Sequence, residues 1–414
     1  MVRITALWSL CFFSLVCAAP QGSQPSVSAS SIAPNSSGAD EAVALTAEER
    51  DELFSLHEEL VNIPSISADE VECAEFISEY LKELGYYVEE VPEEGTGAYN
   101  VFAYPQSLKD AGVWPEVLIT SHIDTVPPFY PFDRREENGT VYHYGRGTVD
   151  AKGPVASMII SAHKFFETQT STPSLGMLFV VSEETGGAGM RAFASYASNT
   201  TFRAGIFGEP TELKLASGHK GTLRLTLSVK GKASHSAYPW LGVSAINYLS
   251  EAVVALNSLE PALPQSELLG PTTLNTGVIQ GGIAANVVPE SANASISIRI
   301  SRSEDDAVQN VKNMIEGMLS PIVTRAEAAN RSFSIEWANT TYAAPILDTD
   351  IEGLEVAPVF YGTDIPNLPQ VEKRYLFGAG TIQVAHTPDE GLDREELVQA
   401  AEAYGKILRG LFEE

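Results

Sequence analysis

Val117-Leu118-Ile119-Thr120-Ser121-His122-Ile123-Asp124-Thr125 is the stretch from which the fold can be read. Its apolar, β-branched opening predicts a buried strand. The run stops at His122, and Asp124 follows two residues later. In an open α/β sheet, ligands collect just beyond the carboxyl ends of the strands. An imidazole there, with a carboxylate near its second ring nitrogen, is the usual arrangement of a metal-ligating histidine. Taken alone, it reads equally well as a hydrogen-bonded histidine closing a strand.

The same pattern recurs further along. Tyr144 to Gly153 carries Asp150 and leads into a helix through Phe166, with Pro154 near its start. Leu178 to Val181 predicts a buried strand ending in Ser182-Glu183-Glu184, and Ala204 to Phe207 one ending in Gly208-Glu209-Pro210. Phe377 to Ala385 reads as a last strand-like segment delivering His386. Upstream, Thr46 caps a helix through Val61 that ends at Pro64, and Ala68 to Leu84 predicts a second helix stopped by Gly85. Tyr86 to Val91 and Asn100 to Tyr104 predict strands, and Glu395 to Leu411 a closing helix. Strands alternating with helices give an α/β class with a mostly parallel sheet.

Between these halves the periodicity changes. Leu223 to Val229 and Ala292 to Ile300 alternate apolar and polar residues, as antiparallel strands with one wet face do. Helical patterns at Val243 to Leu256 and Asp305 to Leu319 complete a strand-helix-strand-strand-helix-strand block closing at Ser332 to Trp337. This predicts a small α+β domain over 221–338 inserted into a larger one spanning 46–220 and 339–414.

Collected at the strand ends are His122, Asp150, Glu183, Glu184, Glu209 and His386. So many carboxylates in one crevice would raise one another's pKa values unless cations were present. Mixed nitrogen and oxygen donors without thiolate suit Zn²⁺, Co²⁺ or Mn²⁺. A pair of metals needs a shared ligand, for which Asp150 is suited, and hydrolysis needs a carboxylate that is not a ligand to take a proton from water.

These motifs, in their order and spacing, resemble the M20 family of metallopeptidases from about Thr46 onward: His122-Ile123-Asp124-Thr125-Val126, Gly145 to Gly153, Ser182-Glu183-Glu184, Gly208-Glu209-Pro210-Thr211 and Gly380 to His386. The resemblance implies two Zn²⁺ per subunit, one held by His122 and Glu209, the other by Glu184 and His386, with Asp150 bridging. It implies Glu183 as general base, Asp124 as the partner orienting His122, and a cis peptide at Asp150-Ala151. It also implies that the inserted domain is a lid or dimerisation domain forming a homodimer. There His235 would polarise the scissile carbonyl, and Asn286, Arg299 and Gly380 would contact substrate. On the residues alone, His235 reads equally as a loop histidine and Arg299 as a strand arginine in a surface salt bridge. His57, His143, His163 and His219 match no ligand position. The expected substrate is a small peptide, cleaved next to its free carboxylate, or an N-acyl amino acid. A non-enzymatic binding protein on the same fold would lack a ligand or the base, and none is missing.

Bulk properties set further limits. A chain of 414 residues with 44% hydrophobic residues can bury more than one core, and a net charge of -28 opposes binding to nucleic acid or anionic membranes. That charge suits an acidic medium, or is simply a solvated surface. Arg3, the apolar Ala6 to Val16 and the small residues ending at Ala18 read as a secretory signal peptide over 1–18, with 19–45 a disordered lead-in or propeptide; the expected location is extracellular. No later run is long and apolar enough for a membrane helix. Once the signal is removed only Cys73 remains of three cysteines, and it reads as a buried apolar residue. Six sequons, at Asn35, Asn138, Asn199, Asn293, Asn330 and Asn339, are candidate glycosylation sites expected on the surface.

Overall fold

The computed structural model describes residues 43–413. The signal segment, Asn35 and nearly all of the expected lead-in lie outside them. Val43 and Leu45, at the end of the stretch expected to be disordered, are buried instead, and the Leu45 N–H donates to Glu402 Oε1 at 3.1 Å.

Helix α1 (Ala47–Asn62) starts as expected. Thr46 Oγ1 accepts the Glu49 N–H and Glu49 Oε2 accepts the Thr46 N–H, a reciprocal cap that contributes about 1 kcal/mol. Its last carbonyls are met by a residue distant in sequence: buried Lys152 donates through Nζ to Leu60 O at 2.8 Å and Ile63 O at 2.7 Å. Helix α2 (Val71–Glu83) starts later than Ala68, which lies in the left-handed region at φ 78°.

The main sheet contains β1 (Tyr86–Pro92), β2 (Tyr99–Pro105), β3 (Val117–His122), β6 (Leu175–Val180), β7 (Phe202–Gly208) and β12 (Val371–Phe377). Their order is β1-β2-β6-β3-β7-β12, with β6, β3, β7 and β12 mutually parallel and, at one edge, β2 antiparallel to both β6 and β1. β3 is therefore central, between β6 and β7. Its side chains alternate as a strand's must: Val117 and Ile119 face a core containing Leu53, Ile159 and Tyr404, and Leu118 faces the other core, with Phe193 and Phe202. Helices α1, α3 (Lys152–Thr168) and α7 (Arg394–Phe412) contribute to the first face, and α4 (Ala188–Tyr196) to the second.

Two further elements of this part of the chain depart from the sequence reading. A hairpin, β4 (Asp133–Glu137) and β5 (Thr140–Tyr144), fills the loop after β3 and pairs with β13 (Gly391–Asp393). The expected strand from Phe377 to Ala385 ends where it was expected to begin: β12 stops at Phe377, and turns carry the chain to His386.

The inserted block follows the predicted order: β8 (Gly221–Lys230), α5 (Ala245–Leu259), β9 (Thr273–Gly281), β10 (Ser291–Ile300), α6 (Ala307–Ala328) and β11 (Ser332–Trp337). Its antiparallel sheet runs β9-β10-β8-β11. Leu223, Leu225, Ile296 and Ile298 pack on Leu249, Leu256, Val311 and Ile315, forming a core of its own. α6 continues past the expected stop at Leu319 and through Pro321, because Ile322 and Ala326 still have that core to bury against. Among the described residues no helix is long and apolar enough to cross a membrane. Of the described sequons, Asn138, Asn199, Asn330 and Asn339 are exposed, while Asn293, near the start of β10, is half-buried.

Candidate metal centre and active site

The carboxyl ends of the parallel strands meet in one cavity of about 260 Å³. His122 ends β3. Its Nδ1–H donates to the Asp124 backbone carbonyl at 3.0 Å, which turns Nε2 toward Asp150 Oδ1 at 3.0 Å and Glu209 Oε1 at 3.8 Å. The orienting group is thus chiefly the Asp124 carbonyl, with its carboxylate at 3.5 Å. The carboxylate itself is spent mostly on the neighbouring main chain. Its Oδ1 accepts the Glu183 N–H at 2.9 Å, and Oδ2 accepts the Glu184 N–H at 3.2 Å and the Ser67 hydroxyl at 2.7 Å. Asp124 therefore fixes the turn that carries both glutamates.

His386 Nε2 lies 2.9 Å from Glu184 Oε1 and 3.2 Å from Asp150 Oδ2. His386 (φ 64°) and Ser182 (φ 61°) both occupy the left-handed region, which a non-glycine residue holds only when its surroundings impose it. The Asp150-Ala151 peptide is cis. Gly147, at φ +84°, lies beside this segment; a Cβ there would come within 2.7 Å of Thr125 Cγ2.

The electrostatics are those of an anion-rich pocket. Burial opposes the His122 charge, but Asp124 and Asp150 outweigh it and hold the imidazole well above its ordinary range. Hydrogen bonds to Asp150 and Glu184 raise His386 to about 10. Burial would raise Asp150, yet its bonds to His122 and His386 hold it well below the usual carboxylate range. Burial pushes Glu183, Glu184 and Glu209 upward, helped for Glu183 by Asp364. Two imidazoles cannot balance these carboxylates, and divalent cations would. The donor atoms suit this. His122, Asp150 and Glu209 form one group, and Asp150, Glu184 and His386 another; within each, the candidate ligand atoms lie within 4.8 Å of one another, and Asp150 belongs to both.

Arg299 lines the same cavity from the inserted domain. His235, Asn286 and Gly380 do not. His235 and Asn286 sit side by side, the Ser236 N–H donating to Asn286 O at 2.9 Å, and both are exposed. The register explains the separation. Arg299 pairs with Thr222 at the start of β8, whereas His235 lies beyond Lys230 at its end, about 25 Å away at 3.3 Å per residue. Gly380 instead packs on Val149, where a Cβ would come within 2.7 Å of its Cγ1, and donates its N–H to Glu396.

The sequence reading missed two buried supports. Arg146 pairs with Glu390, and Glu390 Oε1 accepts the N–H groups of Val149 and Asp150 at 3.1 and 3.2 Å. His57 and His143 stack with ring centroids 5.2 Å apart. His57 Nε2–H donates to Thr148 O, so its Nδ1 accepts from His143 Nδ1–H at 3.0 Å. Charged residues in the strand-to-helix motif were the available signal for the first support; nothing local marks the second.

Residues 217–323 match the peptidase dimerisation domain family. A protein from Aspergillus terreus named as a probable carboxypeptidase is 40% identical over 378 residues, covering 86% of this chain and 85% of its own. The chain belongs to the M20 family of metallopeptidases. The M20 fold is shared with a Staphylococcus aureus tripeptidase (TM-score 0.72, 22% identity, 88% of this chain and 99% of that one). It is shared too with an M20 metallo-carboxypeptidase from Sulfolobus solfataricus (TM-score 0.66, 18% identity, 87% and 98%).

Proposed function

We propose that this M20 protein is a secreted di-zinc carboxypeptidase that hydrolyses the amide bond next to a peptide's free carboxylate. The observation that carries the reading is the non-ligating Glu183 carboxylate beside two ligand groups that share Asp150. The naming of the Aspergillus terreus relative as a probable carboxypeptidase supports it, and the N-terminal signal-like segment supports export.

His122 and Glu209 would hold one metal and Glu184 and His386 the other, with Asp150 common to both. When bound, such a pair makes water more acidic and polarises a carbonyl oxygen. Glu183 accepts the proton of the attacking water and delivers it to the leaving amine. Its raised pKa lies in the direction that such a shuttle needs. Asp124 holds the Glu183 main chain in place, and the Arg299 guanidinium takes the substrate carboxylate as a two-pronged donor. His235 lies too far along the inserted sheet to serve this cavity, so a role for it at an active site requires a second copy of the chain.

Glu183→Ala is expected to lower turnover of blocked dipeptides by about 10²–10⁴-fold, with metal content unchanged. A variant with near-normal rates would remove the assignment. Release of acetate from N-acetyl amino acids, with dipeptides left intact, would instead establish a deacylase.

A further inference from the structure

The cavity wall opposite the ligand groups carries more positive charge than one substrate carboxylate can use. Arg224 and Arg299 both line it, from the neighbouring strands β8 and β10. Leu223 and Leu225 on one strand, and Ile298 and Ile300 on the other, point into the core of the inserted domain. Both arginines therefore project from the opposite face of the sheet, toward the cavity. Among the described residues neither guanidinium has an ion pair or a side-chain hydrogen bond. Tyr342 also lines the cavity, within electrostatic reach of Glu183, Arg299 and Arg224. Gly362 leaves space for Tyr342 and Arg299: a Cβ there would come within 2.7 Å of Tyr342 Oη and 2.9 Å of Arg299 Nη1. The side chains that this domain contributes to the wall include no aliphatic group larger than Ala338.

A guanidinium fork is matched by one carboxylate. With Arg299 on the terminal carboxylate, Arg224 remains in the same cavity wall for a second anionic group of the substrate. A polar wall with a free cation disfavours a large apolar side chain and favours an anionic one, since a site that offers charged donors discriminates strongly against a group that leaves them unmatched. We infer that Arg224 forms a second anion subsite, which makes peptides ending in glutamate or aspartate the preferred substrates. This rests on the carboxypeptidase reading above and specifies its substrate class.

The test compares blocked Ala-Glu with blocked Ala-Gln, of nearly equal shape, on the metal-loaded enzyme, together with Arg224→Gln and Arg224→Lys. The expected result is a kcat/KM at least about tenfold higher for Ala-Glu, a ratio that falls to near one in Arg224→Gln and partly returns in Arg224→Lys. Equal rates for the two peptides, or an unchanged ratio in Arg224→Gln, would overturn the subsite and leave the carboxypeptidase reading intact. In parallel, equilibrium binding of glutarate is compared with that of its monoamide. If no dipeptide is cleaved but glutarate binds more tightly in an Arg224-dependent way, the subsite stands and the carboxypeptidase reading falls. If there is neither cleavage nor discrimination, both fall.

Discussion

Glu390 accepts the backbone N–H of Asp150, so the carboxylate common to both ligand groups is held from behind by a residue 240 positions away. The same oxygen takes the Val149 N–H, while the other pairs with Arg146, and the Arg146 and Glu390 side chains are only 2% and 1% exposed. Glu390→Gln leaves a buried guanidinium without its counter-charge, which typically costs about 3–5 kcal/mol. Loosening the Asp150 main chain should also weaken metal binding by about 10–100-fold, as loss of outer support does in other sites. Urea unfolding and competitive metal titration would measure the two effects separately. Metal affinity equal to that of the parent protein would show that Glu390 supports the fold without positioning Asp150.

Metal removal should be visible in stability as well as in rate. The carboxylates left facing one another repel, and ligand held by the folded state alone stabilises it by about 2.7 kcal/mol at a hundredfold excess over Kd. Chelation is therefore expected to lower Tm, and added Zn²⁺ to restore it. Because Asp150 belongs to both ligand groups, Asp150→Asn should lose both metals, whereas His386→Ala should lose one. A Tm indifferent to chelator and to metal would count against a metal centre.

Three buried histidines make acid costly. Burial, reinforced by His143, pushes His57 down to about 3; burial likewise lowers His143 and His219 to about 4. Unfolded, each would titrate near 6.5. Below that pH the unfolded chain takes up protons that the folded one refuses, so the contribution of these three histidines falls as pH drops from about 6.5 toward 4 and is flat above 6.5. The slope is about 1.4 kcal/mol per pH unit for each histidine. Unfolding midpoints in urea from pH 7.5 to 4.5 should show this, with a shallower slope for His57→Phe; equal slopes would refute it. The acidic composition suits an acidic medium, and these histidines act against that.

Strand ends and the inserted block were legible because apolar periodicity is local: Val117 to Thr120 and Leu223 to Val229 carry it plainly. The β4–β5 hairpin was not, since Asp133–Glu137 is exposed throughout. Its one signal was Asn138-Gly139, whose positive φ values of 54° and 85° belong to a tight hairpin turn. The route to His386 was misread because the apolar run continues past Phe377 while the hydrogen-bonded ladder does not. Lys152 beneath α1, and Arg146 with Glu390, could not be foreseen, because each pairs with residues about 90 or more positions distant.

β12 lies against β7 only after the whole inserted domain has intervened, and the turn that follows β12 brings His386. The candidate ligands are therefore split across the chain, with His122, Asp150, Glu184 and Glu209 before the insertion and His386 after it. No contiguous fragment shorter than 122–386 contains both sets. During synthesis the site stays incomplete until the ribosome has passed His386 and Glu390, so order of translation alone delays hydrolytic competence until nearly all of this sequence exists.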